Sequence, residues 1–288
     1  MKTIFALVSV FVVFLLVSCE ENVITFGNTD IDLAKSAEVR LVYDNPVVSS
    51  TTLNITRLMY NDQLVSEVST AIGSIFPNST AKYHVVPAGT IKVDAFKNVV
   101  NPDLSITKVL QYSSTFTVTA GKKHTAFIHD LTQAPFVIQD ADVFPSSDAW
   151  ADTLTNIQFV NLLYKADGIT PYGTLFLKGR RGAGTTASPY KYIDIASCGF
   201  KEASTLVPYK LVRSGTVWSG TETGMVFVVF DATGALLKYY PSSSGALTDY
   251  AATGYSLGKG KNYIFHLNGK VGANYAGQAI RLSTIALN

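Results

Sequence analysis

The feature that most restricts the fold is that this sequence is written twice, in strand-sized pieces. Val39-Arg40-Leu41-Val42 matches Ile157-Gln158-Phe159-Val160 at the start of each copy. Tyr83-His84-Val85-Val86-Pro87-Ala88-Gly89-Thr90-Ile91 matches Tyr209-Lys210-Leu211-Val212-Arg213-Ser214-Gly215-Thr216-Val217, keeping Tyr, Gly and Thr around an apolar pair. Phe116-Thr117-Val118-Thr119-Ala120-Gly121-Lys122 matches Tyr255-Ser256-Leu257-Gly258-Lys259-Gly260-Lys261. The matches keep their order while the spacing between copies widens along the chain, as loop insertions in the second copy would cause. Such a chain folds as two copies of one unit. The pieces alternate with period two, as in Val39 to Tyr43, Ile91 to Ala95 and Phe116 to Ala120, and Gly, Pro, Asn and Ser separate them. Short alternating runs without an amphipathic helical pattern predict an all-β sandwich or barrel.

The repeat also separates the faces of one strand pair. His124, Ala126 and Ile128 align with Tyr263, Phe265 and Leu267, the more apolar set, which should face inward. Thr125, Phe127 and His129 then share the outer face with Ile264, His266 and Asn268. Domain limits of 37–145 and 152–288 follow, with Phe144-Pro145-Ser146-Ser147-Asp148 near the boundary.

An opening apolar strand, then Tyr-x-x-apolar-x-x-Gly-Thr before a strand, then an alternating run ending in Gly-x-x-Tyr, resembles the DUF4397 family. The resemblance implies tandem immunoglobulin-like β-sandwich domains of an extracellular or lipid-anchored bacterial protein, with no activity assigned to the family as a whole. The family's tyrosine after the late glycine is Tyr263 in the second copy and His124 in the first, and Trp218 to Tyr240 does not follow the pattern.

Ahead of the repeat, Lys2 precedes an apolar run from Ile4 to Val17 that ends in Leu16-Val17-Ser18-Cys19. The run is shorter than the roughly 20 residues of a membrane span and is the core of a signal peptide. Its end resembles the lipobox, which implies that residues 1–18 are removed and Cys19 is lipidated. Residues 19–36 would then form a tether of roughly 20–25 Å as a flexible coil. Glu20-Glu21 resembles the acidic surface-export signal of Bacteroidetes lipoproteins, which implies an outer-membrane lipoprotein facing the cell surface or the periplasm. With a formal net charge of +2 and 15% charged residues, the chain has no electrostatic footprint for nucleic acid. Lipid, not charge, would hold it on a membrane.

The chemistry-bearing residues are few. Cys198 is the one cysteine beyond the lipidation site, and a buried, inert thiol is the expectation. His124 and His129 lie on opposite faces of one strand and cannot ligate a metal jointly. His124 reads as a core imidazole, His84 as an exposed strand residue, and His266 has no Cys or carboxylate near it in sequence. The Gly179 to Gly184 stretch reads as a mobile hairpin loop, and Asp140-Ala141-Asp142 as a turn rather than a calcium loop. No nucleophile, Walker or dinucleotide motif occurs, so no cofactor and no metal site is assigned. Trp218, with Tyr239 and Tyr240 and more weakly Tyr190 and Tyr192, is the candidate aromatic platform for a glycan or for domain packing. Asp152-Thr153-Leu154 resembles an O-glycosylation acceptor, with Thr153 as the modified residue. The reading is a non-enzymatic, lipid-anchored display or binding module whose partner is a glycan or a protein. A glycan-binding lipoprotein of a polysaccharide-uptake system, a fimbrillin-like pilus subunit cut near Lys35, and a hydrolase are the alternatives.

Overall fold

The computed structural model describes residues 32, 34–46, 51–76, 83–145, 153–212, 221–240, 246–271 and 280–287. The segment expected to be a signal peptide, Cys19 and Trp218 lie outside them. The described strands belong to one compact unit, Leu33–Asn288.

The chain is all-β and forms two tandem immunoglobulin-like sandwiches. The first contains β1 (Ser36–Tyr43), β2 (Arg57–Tyr60), β3 (Gln63–Ser66), β4 (Ser74–Ile75), β5 (His84–Pro87), β6 (Gly89–Val100), β7 (Ile106–Val118), β8 (Lys123–Ile128) and β9 (Phe136–Gln139). One sheet runs β4-β1-β8-β9 with β5 also on β1, and the facing sheet runs β3-β2-β6-β7. β1 is the pivot. It is antiparallel to β4 and β5 on one side and parallel to β8 on the other, from Glu38 opposite Lys123 to Tyr43 opposite Ile128.

The second sandwich contains β10 (Leu154–Tyr164), β11 (Leu175–Arg181), β12 (Lys191–Cys198), β13 (Glu202–Ala203), β14 (Val207–Lys210) and β15 (Thr221–Asp231), then β18 (Ala251–Gly258), β19 (Asn262–Lys270) and β20 (Arg281–Leu287). Its sheets, β13-β10-β19-β20 with β14 on β10 and β12-β11-β15-β18, repeat the first pair strand for strand. Ile157 opposite Tyr263 stands where Val39 opposite His124 stands in the first copy. The second copy adds a small hairpin, β16 (Lys238–Tyr239) with β17 (Thr248–Asp249).

Alternation builds both cores. Val39, Leu41, Leu58, Ile91, Val93, Ala126 and Ile128 fill the first, and Ile157, Phe159, Leu175, Leu177, Phe227, Phe265 and Leu267 the second. Each large apolar side chain so buried contributes about 1.5–3 kcal/mol. The inward face expected for β8 and β19 is therefore the observed one.

The late glycine turn repeats in detail. Gly121 and Gly260 have φ of +70° and +71°, and their N–H groups donate to Ser36 and Leu154 carbonyls. The Tyr263 hydroxyl then accepts from the Gly258 N–H at 2.8 Å, while His124 Nε2 accepts from the Thr119 N–H at 3.3 Å. His124 does the work of the missing tyrosine, with a shorter side chain.

One matched segment is not equivalent in space. Val86 lies opposite Ala37 and Tyr209 lies opposite Thr155, so the strand ladders superpose Val86 on Tyr209 and separate the two matched tyrosines. Pairing with β1 or β10 fixes the register there, and side-chain identity does not. Tyr83 accordingly covers Arg40, whereas Tyr209 enters the second core and bonds Arg181.

The outer faces also differ from expectation. Thr125, Phe127, His129, Ile264, His266 and Asn268 do point away from their own cores, yet all six are buried. The outer faces of the two β1-type sheets pack on each other, with Val42, Phe127 and Ile138 against Val160, Leu162, Ile264, Ile285 and Leu287. A sheet covered on both faces no longer alternates, which is why β19 is buried from Asn262 to Gly269.

Candidate functional site

Polar groups pin the seam between the sandwiches. His266 Nδ1 bonds Asp44 Oδ2 with both side chains buried, and His129 Nδ1 pairs with the Tyr164 hydroxyl at 3.0 Å. Phe200 sets its ring edge-on to both His129 and Tyr164. Burial pushes the His129 imidazole down to about 4. At the rim, Asn262 donates to the Val143 carbonyl at 2.8 Å and Arg281 reaches the Ile72 carbonyl at 3.4 Å.

Asp140 has a structural partner. Its carboxylate pairs with the buried Arg40 guanidinium at 3.2 Å and accepts from the hydroxyls of Thr125 and Tyr83. Arg40 is further covered by the Tyr83 ring, 4.6 Å away. Among the described residues no group of three or more His, Cys, Asp or Glu side chains converges as a metal site would require.

Of the aromatic residues singled out in the sequence, Trp218 lies outside the described residues, and Tyr190, Tyr192 and Tyr239 each engage neighbours of their own. Tyr239, half-buried in β16, sets its ring edge-on to Tyr250 at 5.4 Å and packs on the second core, with half-buried Tyr240 following it. Tyr190 and Tyr192 are exposed, but Arg180 covers the Tyr190 ring at 4.3 Å and Tyr192 packs against Phe230. Lys178 occupies the Phe230 face at 4.8 Å. Thr153 is 5% exposed and its Oγ1 is enclosed without a partner among the described residues, so the folded chain does not present it to a glycosyl carrier. Residues 179–181 of the glycine-rich stretch belong to β11, where Arg181 turns in to Glu222 and Tyr209. Only the remainder lies in the β11–β12 loop. Cys198 is buried, donates to the Phe159 carbonyl, and has its thiol pushed up to about 12 by burial.

Two surface features of the first sandwich stand out instead. β6 and β7 run on past the rest of their sheet: β2 accompanies β6 only from Val93 to Phe96, and from Lys97 neither strand pairs with a further strand among the described residues. This two-stranded ribbon exposes Val99, Val100, Leu104, Ile106, Val109 and Leu110, with Leu104 at its tip 82% exposed. Its turn is held by Asn101, whose amide donates to Ser105 and Thr107, and by Asp103, which accepts from the Ser105 N–H and hydroxyl. These bonds hold the Asp103 carboxyl below its usual range. Turn residues between the aliphatic pair Val99-Val100 and Ile106 were the available sequence signal.

The second feature is a groove of about 390 Å³ where the edge strand β3 faces β5. Tyr60, Asn61, Gln63 and His84 supply its polar lining, and Leu64, Val65, Val85, Val86 and Pro87 its apolar lining. Asn61 and Asp62, with φ of +48° and +62°, make the tight β2–β3 turn that opens one end of it. His84 is half-buried rather than exposed, because its ring packs edge-on to Tyr60 at 6.3 Å.

No family model matches the chain, and no curated protein does. Similar solved structures include a proposed cell adhesion protein from Bacteroides ovatus, at 11% identity and a TM-score of 0.23, covering 88% of this chain and 96% of that one. The tip fimbrial protein Mfa3 from Porphyromonas gingivalis, truncated at its C-terminus, is similar at 10% identity and a TM-score of 0.23, with 88% and 99% covered. A proposed cell adhesion protein from Bacteroides fragilis follows at 10% identity and a TM-score of 0.19, with 88% and 97% covered.

Proposed function

We propose that this chain is a non-enzymatic, lipid-anchored binding module of the bacterial cell envelope, related to the DUF4397 family. In this reading Cys19 carries the lipid, residues 19–36 are the tether, and the double sandwich stands off the outer membrane at the cell surface. The observation that carries it is the β6–β7 ribbon. Six exposed aliphatic side chains, spread over the two faces and the tip of a ribbon with a hydrogen-bonded turn, give the apolar exposure that supports an interaction site. The ionised Asp103 at the tip disfavours entry into hydrocarbon, so the ribbon suits a protein partner better than lipid.

Protease shaving of intact cells, read by mass spectrometry, tests the placement. Peptides from residues 37–288 should be released from the wild type, and Cys19→Ala should leave the membrane fraction. Retention of Cys19→Ala in the membrane would exclude the lipid anchor. A photo-crosslinking residue at position 104 should give a discrete adduct on intact cells that Val100→Lys with Ile106→Lys abolishes. A glycan-binding reading has a separate basis in the β3–β5 groove.

A further inference from the structure

The groove between β3 and β5 carries chemistry that the seam and the ribbon do not use. None of its nine lining residues bears a permanent charge. Tyr60, Asn61, Gln63 and His84 bring neutral hydrogen-bonding groups, and five aliphatic or proline side chains bring carbon surface. A phosphate, carboxylate or ammonium ligand would find no counter-charge in this lining. The nearby Lys92 is already shared by two carboxylates, Asp62 at 3.0 Å and Asp94 at 2.8 Å, and offers an anion no free counter-charge.

Two of the four polar groups are left incomplete. Tyr60 is 3% exposed, and its hydroxyl finds no hydrogen-bond partner among the described residues. His84 Nε2 is likewise enclosed and unpartnered, on β5 with its ring 6.3 Å from that of Tyr60. Buried polar atoms without partners are uncommon in native folds and costly, so two on neighbouring rings of one groove lining point to partners supplied from outside. Burial holds the Tyr60 phenol above its ordinary range and the His84 imidazole below, which keeps both groups neutral at pH 7.

The shape argues for a compact ligand rather than an added strand. β3 and β5 are four residues each, and β5 ends in Pro87, which has no N–H to offer. A ladder along either wall would be short. The volume, about 390 Å³, lies near the lower end of the range for small-ligand sites. Leu64 and Val85 are exposed at its rim and would meet the C–H faces of a ring.

We propose that this groove binds a neutral, hydroxyl-rich ligand of one or two sugar rings, with Tyr60, Asn61, Gln63 and His84 as the hydrogen-bonding set and Leu64 and Val85 as the apolar contacts. Both atoms are closed to solvent in the ligand-free chain, so engaging them requires the His84 ring to turn toward the groove as the ligand binds. The site deepens the reading of the chain as a binding module, on which it rests only for its biological setting.

The test is calorimetric titration and thermal melting of the detergent-solubilised full chain with glucose, galactose, mannose, N-acetylglucosamine, maltose, lactose and chitobiose. Inorganic phosphate and a neutral extended hexapeptide serve as comparison probes. At least one saccharide should bind and raise the melting temperature. Gln63→Ala and His84→Ala should each weaken binding about tenfold, the effect of one lost hydrogen bond to a ligand. Tyr60→Phe removes only the unpartnered hydroxyl, so it should leave the ligand-free melting temperature unchanged or raised while weakening binding. Absence of binding by every saccharide, binding of phosphate or the peptide in their place, or saccharide binding unchanged in Tyr60→Phe and Gln63→Ala would each overturn the site. These measurements use purified protein, so they are independent of shaving and fractionation. Saccharide binding by a chain that is not shaved from cells would keep the site and remove the surface placement.

Discussion

His266 on β19 bonds Asp44, which lies 222 residues earlier at the end of β1, with both side chains buried between the two sandwiches. Nothing near either residue in sequence announces the pairing. It forms because two β1-type sheets, each expected to face outward, cover one another, and that contact makes one compact unit of the two sandwiches.

Removing Asp44 leaves the enclosed His266 Nδ1 without its hydrogen-bond partner, so Asp44→Ala should destabilise the chain by about 1–3 kcal/mol. Urea unfolding followed by tryptophan fluorescence and by circular dichroism measures it. If the seam couples the sandwiches, the wild type should unfold in one transition and Asp44→Ala in two. A cost below about 0.5 kcal/mol with a single transition would show that the pair does not hold the seam.

Stability should fall with acid in a defined window. His129 is held near 4 in the folded chain, mainly by burial, against 6.5 unfolded, so the unfolded chain binds the proton first. The folded state therefore loses stability as pH drops below 6.5, and the loss levels off below about 4. A shift of this size corresponds to about 3 kcal/mol. His84 and His124 are also depressed by burial and add loss of the same sign. Comparing urea midpoints at pH 7.5 and 4.5 for the wild type and His129→Gln isolates the His129 share, and an equal acid loss in both would refute it.

The two glycine corners should differ in how they tolerate substitution. Tyr263→Phe deletes the hydroxyl that accepts from Gly258 and should cost about 1 kcal/mol, the usual net value of such a bond. His124→Tyr introduces into the first copy the side chain that serves the second, and should cost less than His124→Ala. Chemical denaturation of the three variants ranks them; a His124→Tyr less stable than His124→Ala would mean that the first corner has closed around the smaller ring.

Cys198 should report global unfolding. Its thiol is buried, bonded to the Phe159 carbonyl and pushed up to about 12, so it should resist alkylation at pH 8 in native protein. Labelling should rise in step with the fluorescence transition in urea. Rapid labelling without denaturant would show that β12 opens locally.

Much of the architecture was legible beforehand because it rests on local periodicity. The inward sets His124, Ala126, Ile128 and Tyr263, Phe265, Leu267 follow from alternation alone, and the repeated glycine turns follow from a backbone conformation that favours glycine. The candidate site was less legible. Tyr239 and Tyr240 looked like a platform from residue type, but the inserted hairpin turns Tyr239 against Tyr250 and the second core. The groove went unrecognised because Tyr60, Gln63 and His84 are ordinary strand and turn residues until β3 and β5 are set side by side.

By itself the sequence determined that the chain is β, that it is duplicated, and which side of each strand is apolar. These properties are encoded within a few residues and need no distant partner. Only the tertiary structure decided that the outer faces are buried, that Val86 rather than Tyr83 is the counterpart of Tyr209, and that Asp44 meets His266. Each of these depends on which sheet packs against which, a choice made by the summed burial of whole faces and carried by no single local pattern.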